Sequence, residues 1–334
     1  MTVLVLGAGG FLGLNLVEAL LDSGAIPRCA RRSRGNVLVL RKLRVPLVTA
    51  ELDGHLELQR AMAGCATVFH LAGHYPRLSL DPLGALATGL RQMHNVLEAA
   101  ARASVKRLVY VSSAATAAPA PEGPSDERHL YATRPGHGAY HDLKWEMERM
   151  ALAEERFEVV VACPGACLGP WDLRVGTSAL LVATARGLDP PHPDGWINLI
   201  DARDVATALI RLSALPAPPR RLLLSGGNHR LHPLLCELAL RYGVAPPSPP
   251  LAADRAIALA DAEEARAARE GGRPAVAREI VDLIVRGVPL DTRLAEEALG
   301  LRCRPLAQTL SATDAWARRM RFIPDSPSAE AMPR

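Results

Sequence analysis

Hydrophobic and polar positions follow two alternating patterns along the first half of the chain. Short runs that are apolar at almost every position read as strands buried on both faces. Longer stretches with apolar residues every three or four positions read as helices. The run at 3–6 and the periodic stretch at 11–21 form the first such unit. Strands follow near 26–30 and 47–51, then a helix over 56–63. The strand in "TVFHLAG" (67–73) ends in a glycine turn. A helical pattern covers 82–101, the strand "RLVYVSS" covers 107–113, and the helix "AYHDLKWEMERMALAE" covers 139–154. "FEVVVACPG" (157–165) closes the series. Strand and helix in this alternation predict an α/β fold with a doubly wound parallel sheet.

The long connection at 117–138, rich in proline and glycine, predicts a binding loop rather than a simple turn. Beyond 165 the pattern changes. "LGPWDLRVGTSALLVATARG" reads as a loop and a helix, and "WINLIDARDVATALIRL" returns a strand and a helix to the core. Prolines at 216–219 and 246–250 bracket a strand at 221–224 and a helix at 233–242. The charged stretch 252–273 reads as a solvated helical face, and "LAQTLSATDAWARRM" as a last amphipathic helix. We therefore expect a first domain over 1–165, with 196–214 returning to it. A smaller, mostly helical substrate domain takes 166–334.

Composition narrows the setting. The chain has 334 residues, 49% of them apolar, and no run approaches the length of a membrane span. Met1 leads straight into the first strand, without the basic-then-apolar order of a signal peptide. Six cysteines form no Cys-x-x-Cys pair, which fits a reduced, cytoplasmic protein and gives no metal site. A net charge of +4, spread along the chain, does not suggest nucleic acid. Only three lysines (42, 106, 144) stand against 36 arginines. A lysine kept in such a chain marks a place where a planar guanidinium cannot serve.

The first strand-to-helix turn holds Gly7, Gly9, Gly10 and Gly13. Glycines there let backbone N–H groups and a helix N-terminus approach a pyrophosphate, and let helix and strand pack closely. The frame Gly-x-x-Gly-x-x-Gly is a variant of the commoner dinucleotide fingerprint. Tyr140 and Lys144, four apart on one helix, share a face. A phenol of ordinary pKa about 10 is a poor acid or base at neutral pH, and a neighbouring cation favours its ionised form. So placed, Tyr140 can protonate a developing alkoxide or deprotonate an alcohol. Ser112 and Ser113 end a strand at the carboxyl edge of the sheet, where Ser113 can hydrogen-bond a substrate carbonyl.

"LGAGGFLG", "VFHLAG", "VYVSSAAT", "YHDLK", "CPGACLGPWD" and "INLIDARDVATALI" occur in the order found in the extended short-chain dehydrogenase/reductase superfamily. The chain resembles that superfamily over nearly its whole length. It is most similar to the branch holding dihydroflavonol reductases, 3β-hydroxysteroid dehydrogenases and hopanoid-associated sugar epimerase homologues. The resemblance implies a Rossmann core, a nicotinamide cofactor and a small C-terminal substrate domain. It also implies Ser113, Tyr140 and Lys144 as the catalytic set, and a homodimer formed through the helices at 82–101 and 139–154, whose Met147 and Met150 lie beyond one core stripe. The expected cofactor contacts are Gly7, Gly10, Phe11, Leu12, Gly13, Leu71, Ala72, Gly73, Pro164, Tyr140 and Lys144, with Glu51 and Leu52 beside the adenine. His74, Tyr75, Ala114, His137 and Trp171 are candidates for the substrate pocket. Three departures stand out. Gly89 occupies the usual asparagine position, Cys163 precedes Pro164, and the arginine that sugar-nucleotide members carry is missing before Asp201.

The end of the second strand carries Arg28, Arg31, Arg32 and Arg34 and no acid. Guanidinium groups pair with a 2′-phosphate, whereas a carboxylate would hold a ribose diol. This favours NADP(H), gripped by Arg31 and Arg32, with NAD still possible. The reading is a reductase that moves a hydride between NADPH and the ketone or alcohol of a small, fairly apolar metabolite, as in secondary metabolism. Its rivals are a nucleotide-sugar epimerase or dehydratase, and a non-catalytic dinucleotide sensor, against which the Tyr140–Lys144 pair argues.

Overall fold

A strand covered by helices on both sides sends successive side chains into two different cores. The computed structural model describes residues 2–324 other than 34, 36, 75–80 and 273. Its first half comprises β1 (Val3–Leu6), α1 (Phe11–Asp22), β2 (Arg28–Arg31), α2 (Leu38–Lys42), β3 (Leu47–Thr49), α3 (His55–Met62) and β4 (Thr67–His70). α4 (Pro82–Arg102), β5 (Arg107–Val111), α5 (Ala139–Leu152) and β6 (Glu158–Pro164) follow. Leu4, Val68, Leu108 and Tyr110 point to the core under α4 and α5. Val5, Phe69, Val109 and Val111 point to the core under α1. That period of two makes these runs fully buried strands.

The second half comprises β7 (Ala166–Leu168), α6 (Ala179–Ala185), β8 (Trp196–Asp201), α7 (Ala202–Ala214), β9 (Arg221–Leu224) and β10 (Gly227–Arg230). Five helices complete it: α8 (Leu231–Tyr242), α9 (Ala253–Glu270), α10 (Arg278–Val285), α11 (Arg293–Leu299) and α12 (Leu306–Arg319). Among the described residues one sheet has seven strands in the order β3-β2-β1-β4-β5-β6-β9. All its pairings are parallel. The order reverses between β1 and β4, and the crevice at the carboxyl ends there is where such sheets bind ligands. A second sheet, β10-β8-β7, stands apart from it.

The Rossmann-type sheet and the helical C-terminal region are as expected, and α7 packs on α1 in the main core. The sheet's last strand, however, also comes from beyond residue 165, because β9 pairs with β6. The second strand starts at Arg28, since Pro27 has no N–H to give a ladder. The charged stretch is helical as α9, but only partly solvated. Ala256, Ala260, Glu264 and Ala267 are buried. Among the described residues no helix is long and apolar enough to cross a membrane.

Candidate active site

The glycine turn brings three backbones together. Gly7 has φ 85°, and a Cβ on it would lie 2.8 Å from the Ala72 nitrogen, at the end of β4. A Cβ on Gly13 would lie 2.1 Å from the Gly7 oxygen. Gly10 begins α1 with no side chain capping it and no acid in the first turn. The N–H groups of Phe11, Leu12 and Gly13 lie in the first turn of α1, where a helix end is positive. The residues present fit a pyrophosphate there, because any side chain would fill the space the backbones enclose.

At the end of β2, Arg31 uses Nη1 on the carbonyls of Arg32 (3.4 Å) and Ser33 (3.2 Å). Arg32 is exposed, and Arg34 lies outside the described residues. The run carries no acid of its own, yet the fold supplies one. Glu51 accepts from the Ser33 nitrogen (2.7 Å) and hydroxyl (2.8 Å), and these bonds hold its carboxyl below the usual range. Sequence reading placed Glu51 beside the adenine and missed its tie to this loop, which forms only when β2 and β3 lie side by side. Leu52 accepts from Asn95 Nδ2 at 2.9 Å.

α5 carries Tyr140, Lys144 and Glu148 on one stripe at spacing four. Tyr140 is 8% exposed. The Lys144 ammonium donates to the Val111 carbonyl (3.3 Å) at the end of β5 and lies 5.5 Å from the Tyr110 ring centre. Burial pushes its pKa down to about 8, against the opposing pull of Cys163 and Glu148. The two serines divide their work. Ser112 donates to Glu148 (2.5 Å), while Ser113 accepts from the Ala115 nitrogen (3.2 Å) and keeps its own hydroxyl hydrogen to donate.

Glu148, fully buried, is a residue that sequence reasoning missed. Besides Ser112 it accepts from Thr116 (2.9 Å) and from Arg221 Nε (2.6 Å) on β9. The signal was present: an acid one turn after Lys144 on an inward-facing stripe. His70, at the end of β4, is buried with neither ring nitrogen hydrogen-bonded among the described residues. Burial first, then the Lys144 charge, push its pKa down to about 3, so the ring is neutral.

The remaining candidates are scattered. Pro164 ends β6 opposite Leu224, and Ala114 is buried just after Ser113. His137 stands 5.4 Å from Tyr131 and 5.9 Å from His141, ring centre to ring centre. His74 follows β4, and Tyr75 lies outside the described residues. Trp171 packs in the α1–α7 core, and its single polar atom is committed to Glu18 at 2.7 Å. At Gly89 a Cβ would lie 2.3 Å from Leu143 Cδ1. A side chain at this position would therefore require the buried Leu143 to shift.

A parallel sheet with a glycine-built strand-to-helix turn at its switch point, and a Tyr–Lys pair against the end of β5, defines a nicotinamide-dependent enzyme of the extended short-chain dehydrogenase/reductase type. The chain belongs to the NAD dependent epimerase/dehydratase family, whose model matches residues 3–220. It is 28% identical to a Synechocystis sp. protein provisionally named dihydroflavonol 4-reductase, over 96% of this chain and 95% of that one. It is 29% identical to a dihydroflavonol 4-reductase of Zea mays, over 72% and 74%. Among solved structures, a nucleoside-diphosphate-sugar epimerase from Pseudomonas aeruginosa superposes with a TM-score of 0.79. That structure is 26% identical, with 97% of this chain and 99% of that chain covered.

Proposed function

We propose that the protein is an NADP(H)-dependent reductase acting on the ketone or alcohol of a small, fairly apolar metabolite. The observation that carries this reading is the Tyr140–Lys144 pair beside Ser113 at the carboxyl edge of the sheet. The bound nicotinamide supplies or takes the hydride. In reduction, Ser113 donates a hydrogen bond to the substrate oxygen and Tyr140 gives that oxygen its proton. Lys144, still charged at neutral pH with a pKa of about 8, favours the phenolate left on Tyr140, which solvent then reprotonates. The reductase names of the curated relatives support this direction.

Arg31 and Arg32 are the residues for a 2′-phosphate, and the Glu51 carboxylate beside them is engaged by the nitrogen and hydroxyl of Ser33. Six free cysteines fit a reduced, cytoplasmic setting. For the homodimer, the support shifts. Met147 is used inside the monomer, so the self-contact falls to the groove where His94 on α4 faces Met150 on α5 and Ala153 just after it. The second reading, a nucleotide-sugar epimerase, is favoured by the structural likeness to such an enzyme.

Cofactor titration separates the two. NADPH should bind more tightly than NADH, exchange freely, and be oxidised with dihydroquercetin or an aryl ketone as probe. Arg31→Ala with Arg32→Ala should weaken NADPH by several kcal/mol, at about 1.5–3 for each charge-assisted contact, and leave NADH unchanged. NAD retained through purification, with equal losses for both cofactors, would favour the epimerase.

A further inference from the structure

The helix that carries Tyr140 has no cap of its own. Gly138 precedes it with φ 111° and offers no side chain to its first N–H groups. Those groups are met from 140 and 139 residues away. Glu279, on α10, accepts from the Ala139 nitrogen with Oε1 (3.0 Å) and from the Tyr140 nitrogen with Oε2 (2.9 Å). Glu279 is 1% exposed. One buried carboxylate thus bridges two successive N–H groups at a helix N-terminus, where negative charge is most favourable.

The helix that carries this carboxylate is itself tied to its neighbour. Arg278 reaches Asp282 Oδ2 (2.7 Å) on α10 and Asp261 (2.7 Å) on α9, and its nitrogen donates to Glu264 (2.8 Å). Asp282 and Glu279 close over the turn. A Cβ on Gly138 would lie 3.1 Å from Asp282 Oδ2 and 3.2 Å from Glu279 Oε2. The α9–α10 hairpin therefore grips the catalytic helix at the residue that bears the phenol.

We propose that Glu279 is a positioning residue for Tyr140: through this one carboxylate, α10 fixes where the phenol stands relative to Ser113 and Lys144. This rests on Tyr140 being the proton donor. Its consequence is coupling between the C-terminal helical region and the chemistry, because a displacement of α10 moves the Tyr140 backbone. Misplacement by about 1 Å costs on the order of a hundredfold in rate.

The test reads Tyr140 directly. The chain has five tyrosines, so 3-fluorotyrosine labelling gives a countable fluorine spectrum, with the Tyr140 signal assigned as the one lost in Tyr140→Phe. In Glu279→Ala that signal should move or broaden while signals remote from α5 hold. Glu279→Gln, which keeps the shape and one acceptor, should give a smaller change and guards against loss of fold. With NADPH and dihydroquercetin, kcat should fall at least about tenfold in Glu279→Ala, with the NADPH dissociation constant within twofold of wild type. A Tyr140 signal unmoved in both variants overturns the inference. Normal turnover in Tyr140→Phe would instead overturn the proton-donor reading and leave the cap itself standing.

Discussion

Replacing Lys144 with methionine should stabilise the protein while abolishing its activity. In the folded chain burial holds the Lys144 pKa down at about 8, from an ordinary 10.5. Between those values the unfolded chain binds more protons than the folded one, so stability rises with pH across that window. Below about 8 the full penalty is present; near 10.5 it is gone. At about 1.4 kcal/mol per pH unit, the gap amounts to up to about 3.5 kcal/mol. Two contacts oppose it: the bond to the Val111 carbonyl and the approach to the Tyr110 ring. The bond, long at 3.3 Å, contributes the low end of a charge-assisted contact, about 1.5 kcal/mol, and the ring approach about 0.5–1 kcal/mol. Lys144→Met keeps the length of the stem and removes the charge. It should therefore gain about 1–1.5 kcal/mol at pH 7 and lose that advantage by pH 10.5. Urea unfolding of both proteins at pH 7 and pH 10 measures this, since titration of the other groups cancels in the difference. A stability gap equal at both pH values, or a less stable variant at pH 7, would refute the reasoning.

Glu148→Gln leaves Arg221, 7% exposed, without its buried counter-charge and should cost about 3–5 kcal/mol in the same unfolding assay. Glu148→Met with Arg221→Met should recover much of that loss, and no recovery would count against the ion pair as its source. Gly13→Ala sets a methyl against the Gly7 oxygen, which is backbone and cannot swing away. NADPH binding, followed by fluorescence, should weaken at least about tenfold, and an unchanged affinity would contradict the cradle.

Local pattern made half of this molecule legible. The strand "VLVL" and the glycines after it were readable because close approach at a βα turn demands glycine wherever a Cβ would collide. Tyr140 and Lys144 were readable because helical spacing alone puts them on one face. What stayed hidden depends on partners distant in sequence. Glu148 meets Arg221 only because β9 pairs with β6. Glu51 reaches Ser33 only across two adjacent strands. Glu264 and Glu279 sit in or beside a charged stretch that reads as solvated, and both are buried by contacts between helices. The close approach of Leu143 to Gly89 likewise follows from how α5 packs on α4.

The most direct test of the account is Tyr140→Phe, which keeps the ring and removes one hydroxyl. NADPH consumption with a ketone substrate should fall at least about a hundredfold, while the NADPH dissociation constant stays within twofold of wild type. Turnover unchanged in the phenylalanine variant would contradict the claim that this phenol moves the proton.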